Sequence, residues 1–99
     1  MKINIFIVLF FLKTLSVSAQ TKGIVVDENK LPIPYVNIWV EGENIGTTSE
    51  EDGTFVIDSN DGNKNLIFSI LGFEKKTIKL SQAKEVVLQS ITNELNEIV

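Results

Sequence analysis

Histidine, cysteine and arginine are all missing from these 99 residues. Without histidine or cysteine there is no Ser-His or Cys-His nucleophile pair, and no zinc site of the usual nitrogen and sulfur ligands. The lack of cysteine also means that no disulfide staples the fold. Nine lysines stand against thirteen acids, so the chain has no dense basic patch of the kind that phosphate-backbone binding relies on. Nucleic acid and anionic membrane surfaces are therefore not expected partners. Neither glycine-rich phosphate-cradling motif occurs. Helix signals are essentially missing after the N-terminal leader.

What is present begins with an address. Met1-Lys2 is a short positive start, Ile3 to Leu12 is apolar except for Asn4, and Lys13 interrupts the run. Thr14 to Ala19 is a mostly small-residue stretch ending Val17-Ser18-Ala19, which fits a signal-peptidase site before Gln20. The other reading is a membrane anchor, but the apolar run falls well short of the roughly 20 residues that span a bilayer. Gln20 stands where a lipoprotein signal would need cysteine. The chain is thus expected to be exported, to the periplasm or in association with the outer membrane, with a signal peptide at 1–19. No direct membrane insertion of the mature chain is expected. Removing residues 1–19 from 99 leaves 80, with seven lysines and all thirteen acids, a net charge of −6. That is one small domain, which buries only about 60–65% of its unfolded surface and depends on its hydrophobic core alone.

The pattern along that domain is of short strands. Gly46 to Ile57 reads as a hairpin: a short strand, an acidic turn closed by Gly53, and a second strand with Phe55 and Ile57 on one face. Ile24-Val25-Val26 marks an earlier strand within Thr21 to Asp27. Pro32 and Pro34 enforce extended backbone and withhold two ladder donors, so that segment is expected to cross between sheets or run along an edge. A proline-recognition motif is the functional reading of the same pair. Tyr35 to Glu41 alternates, with Val36, Ile38 and Val40 on the buried face and Tyr35, Asn37, Trp39 and Glu41 on the other. Leu66, Phe68 and Ile70 alternate with Ile67 and Ser69, and Leu71-Gly72-Phe73 forms a bend. Glu74 to Leu80 and Glu85 to Gln89 complete the set, with Lys76, Ile78 and Leu80 on one face of the former and Val86 and Leu88 inward in the latter. About seven strands separated by turns every eight to twelve residues predict an all-β, seven-stranded antiparallel sandwich. The domain is expected over 20–90, with 91–99 as a tail or the start of a linker.

Few residues carry chemistry. Glu50, Glu51 and Asp52 are consecutive on a wet turn, where nothing shifts their pKa values toward acid–base work. Asp58-Ser59-Asn60-Asp61-Gly62 has the look of a calcium loop, but counted from Asp58 the required glycine falls on Asn63 and the bidentate acid on Ser69. An irregular calcium site at Asp52, Asp58 or Asp61 is the remaining metal reading; the expectation is no metal, no cofactor and no catalytic residue. Trp39 on the outer face reads either as an aromatic covered by a neighbouring segment or as a partner or sugar-stacking surface.

Gly23-Ile24-Val25-Val26-Asp27, Leu31-Pro32-Ile33-Pro34-Tyr35-Val36-Asn37-Ile38, Gly46-Thr47-Thr48-Ser49, Asp52-Gly53-Thr54-Phe55 and Phe68-Ser69-Ile70-Leu71-Gly72-Phe73 together resemble the carboxypeptidase-regulatory-like domain, from Thr21 to Gln89 and in family order. Ser49-Glu50 stands where the family usually has Thr-Asp; both keep a polar turn entrance. The resemblance implies a transthyretin- or immunoglobulin-like sandwich that is not itself catalytic. It also implies a place at the N-terminus of TonB-dependent outer-membrane receptors, where a segment similar to Leu95-Asn96-Glu97-Ile98-Val99 precedes the plug and barrel. The expected function is a non-catalytic, exported accessory domain that contacts an envelope protein or a downstream receptor domain. The alternative is a carbohydrate-binding module using Trp39 with Tyr35 and Asn37.

Overall fold

Period-two alternation of apolar residues needs a partner face, and here two sheets supply it to each other. The computed structural model describes residues 20–91; the expected signal peptide and residues 92–99 lie outside them. Among the described residues seven strands form: β1 (Thr21–Val26), β2 (Asn37–Val40), β3 (Gly46–Thr48), β4 (Thr54–Ile57), β5 (Asn65–Ser69), β6 (Lys76–Lys79) and β7 (Glu85–Val87), with a 3₁₀ turn at Leu80–Gln82. One sheet has the order β4-β1-β7 and the other β3-β2-β5-β6. Val25, Phe55, Ile57, Val86 and Leu88 from the first layer meet Val36, Ile38, Val40, Leu66 and Phe68 from the second in a single core. The rings of Phe55 and Phe68 close the gap edge-to-face, with centroids 5.5 Å apart.

The all-β sandwich of seven strands follows the sequence pattern, with two differences. The β1–β4, β2–β3, β2–β5 and β5–β6 pairs are antiparallel, but β1 and β7 run parallel, with Val25 opposite Val86. The second difference concerns Gly46 to Ile57, which is not a hairpin. Its turn forms as expected: the Gly53 N–H donates to the Glu50 carbonyl at 2.9 Å, and Gly53 has φ +82°. Its two strands nonetheless join different sheets, so the segment arches from one layer to the other. Locally a turn is equally compatible with either outcome. The pairing is decided by which sheet each strand's buried residues complete.

The Pro32–Pro34 segment crosses between the layers in the opposite direction, as its missing donors suggest. Pro32 bridges to Val26 in the first sheet, and the chain enters β2 of the second at Asn37. A single side chain ties the two crossings together. Ser49, 1% exposed, donates its hydroxyl to the Ile33 carbonyl and accepts from the Val36 N–H, both at 2.8 Å. Every hydrogen-bonding need of that buried hydroxyl is met, which is why a polar residue is tolerated there.

Candidate functional site

The outer face of the β3-β2-β5-β6 sheet carries the aromatic candidate. Register places Thr48, Asn37 and Ser69 side by side in one row, and Gly46, Trp39, Ile67 and Thr77 in the next. The alternation of β2 holds: Asn37 and Trp39 face outward while Ile38 and Val40 are buried. Trp39 is half-buried, and the Lys75 ammonium lies over its ring, 5.7 Å from the centroid. Its direct neighbour Ile67 is only 8% exposed despite facing outward. The covered-aromatic reading of Trp39 thus describes its surroundings better than an open stacking platform. A sugar ring approaching that indole face would have to displace Lys75.

Tyr35 does not join Asn37 and Trp39. It precedes β2 and adopts φ +64°, which takes it out of the strand's alternation, and it is 63% exposed. Bulky side chains rarely occupy this left-handed region. Its backbone is held there by donation of its N–H to the Ser49 carbonyl at 3.0 Å. The three proposed glycan contacts are therefore split between a strand face and a loop, a departure that periodicity alone could not foresee.

The acidic candidates are dispersed. Glu50, Glu51 and Asp52 sit on an exposed turn tip, where the Asp52 carboxylate accepts from the Thr54 hydroxyl at 2.6 Å and the Thr54 N–H at 3.1 Å. These bonds, the hydroxyl's first, hold the Asp52 carboxyl below its ordinary pKa. Asp58 and Asp61 lie beyond the other end of β4. Asp58 accepts from the Gln20 side-chain amide and Asp61 from the Asn63 N–H. Four residues of strand, about 13 Å, separate the two acidic loops. Among the described residues no three acids are grouped so as to hold a metal ion.

Two further concavities lie away from the acidic turn tip. One of about 360 Å³ is lined by Thr21, Lys22, Asn60, Gly62, Leu80, Ser81 and Lys84, so its charged groups are two flexible ammoniums suited to loose contact with anions. The other, about 220 Å³, lies between Glu74–Lys76 and Val87 with Gln89, at the seam where the two layers meet. There Lys76 donates its ammonium to the Val87 carbonyl at 2.9 Å and the Glu74 N–H donates to the Gln89 carbonyl at 2.8 Å.

Two sheets that meet in one core define the chain as a small β-sandwich domain. The family-wide sequence profile of the CarboxypepD_reg-like domain matches residues 21–99. The chain belongs to that carboxypeptidase-regulatory-like family. Among curated proteins it is 42% identical to TonB-dependent receptor P3 of Formosa agariphila over 89 residues, covering 84% of this chain and 9% of the relative. It is 30% identical to TonB-dependent receptor SusC of Bacteroides thetaiotaomicron over 78 residues, 79% of this chain and 8% of that receptor. TonB-dependent receptor P39 of Formosa agariphila matches at 26% over 91% of this chain and 9% of its own length. The chain therefore spans less than a tenth of the relatives it resembles, and it matches their N-terminal region.

Proposed function

We propose that this chain is the exported, leading accessory domain of a TonB-dependent receptor in the cell envelope, acting by protein contact and not by catalysis. The carrying observation is the 42% identity to a TonB-dependent receptor across 84% of the chain, in the receptor's N-terminal region. In this reading residues 1–19 are a cleaved signal, residues 20–90 are the folded domain and residues 91–99 begin the connection to the next domain. The composition agrees, since an acidic domain without arginine is poorly suited to binding a phosphate backbone. Strand edges supply the contact surfaces: among the described residues β3 and β6 border one sheet, β4 and β7 the other. The glycan reading has weaker support, because Lys75 already covers the Trp39 ring and Tyr35 stands apart from it.

The test is the native gene product. Its mass in envelope fractions, measured together with the reading frame past Val99, should reveal a much longer outer-membrane protein beginning at Gln20. A soluble product of about 80 residues, as signal cleavage alone would leave, would instead make the domain a free periplasmic adaptor.

A further inference from the structure

We infer that the Leu71 tip, together with Ile91, packs against an apolar patch on the next domain of the same polypeptide. This rests on the reading of the chain as the leading part of a receptor. Leu71 is 98% exposed, the most exposed large apolar residue described, at the apex of the turn between β5 and β6. Gly72 beside it has φ +93° and, among the described residues, open space on its side-chain side.

The path of the chain leads to the same point. After β7 the Leu88 N–H still donates to the Val26 carbonyl of the first sheet. Within three residues the backbone has changed partner: Ser90 bridges antiparallel to Phe73, and the Ile91 N–H donates to the Gly72 carbonyl at 2.9 Å. The last described residue is thus fastened next to Leu71, with its own side chain 52% exposed. Linkers between independent domains usually leave through polar, weakly attached segments. Here the exit is hydrogen-bonded to the backbone of Gly72, beside the most exposed large apolar side chain described, and relatives extend more than tenfold beyond the matched length.

Area selects the occupant. Two apolar side chains fall far short of the roughly 1,000 Å² that a separate partner protein needs for stable binding. A domain tethered at Ile91 is present at an effective concentration in the millimolar range for a short linker. Such a small contact is adequate there and nowhere else, and that distinguishes an intramolecular neighbour from an independent partner or a second copy.

The experiment uses the intact receptor, with single cysteines introduced into this naturally cysteine-free segment and any thiols elsewhere replaced. Leu71→Cys and, as a control at the acidic turn tip, Glu51→Cys are compared for their rate of maleimide labelling in purified protein. The expected result is slow labelling at position 71 and fast labelling at position 51, with urea restoring position 71 to the control rate. Equal rates in the folded receptor would overturn the inference, as would protection that vanishes on purification, since that points to a separate protein. The mass of the native product is read beforehand. A chain ending at Val99 removes the receptor reading itself, an outcome distinct from equal labelling in a longer chain.

Discussion

Gly23 lies on the inner face of β1 directly opposite Phe55, and the Phe55 ring occupies the space a side chain would take. A Cβ at this position would collide with the Ala83 carbonyl oxygen and lie 2.6 Å from the Phe55 ring. Backbone cannot yield as a flexible side chain does, so Gly23→Ala is expected to destabilise by about 2 kcal/mol or more, the overpacking range. Urea unfolding would show this as a lowered midpoint with an unchanged slope. Two carboxyls on the surface contribute to the acid limb of stability. Glu28 is held below its ordinary 4.5 by its own backbone N–H and then by the Ser90 hydroxyl and N–H, and Asp52 below its ordinary 3.8 by Thr54. A depressed carboxyl pKa favours the folded state above the unfolded-state value and loses that contribution as pH falls through the folded one. Through these groups the melting temperature should therefore not change with pH near neutrality, where their contribution is complete, and should fall below about pH 4.5. Glu28→Gln combined with Asp52→Asn should flatten that fall in a thermal-melt series. Lys64, raised by its hydrogen bond and charge pairing with Glu43, acts with the opposite sign and loses its contribution above 10.5.

Strands were legible in the sequence where one face is buried. Val36, Ile38 and Val40 alternate cleanly with outward residues, and β2 forms with that register. Phe55 and Ile57, Leu66 and Phe68, and Val86 and Leu88 likewise enter the core their spacing assigns them. Partnership between strands was not legible, because it depends on residues far apart in the chain. Nothing within Gly46–Ile57 distinguishes a hairpin from an arch, and the parallel β1–β7 pair joins opposite ends of the domain. Among the site candidates, the outward position of Trp39 could be read, whereas its cover by Lys75 depends on a chain segment 36 residues away. Tyr35 escaped the alternation because its left-handed φ is imposed by the crossing it terminates. Ser49 controls that crossing. Ser49→Ala would leave the buried Ile33 carbonyl and Val36 N–H without those partners, a loss of about 1–3 kcal/mol. Amide hydrogen exchange at Val36 should accelerate by more than exchange in β5, if the two crossings open together before the sheets do.

For the whole molecule, the order in which strands join matters more than their number. The domain begins with β1 and leaves through β7, and these two strands lie side by side, pointing the same way. Tension applied between the ends of the domain would drag β1 and β7 in opposite directions along their common axis. Their hydrogen bonds are then loaded together in shear, not opened one after another as in a peeled hairpin. Pulling single molecules from Thr21 and Ile91 should accordingly give a high unfolding force, and pulling from β4 and β1, an antiparallel pair that can be unzipped from one end, a lower one. A domain arranged in this way can sit in a chain under mechanical load and stay folded while weaker segments of that chain extend.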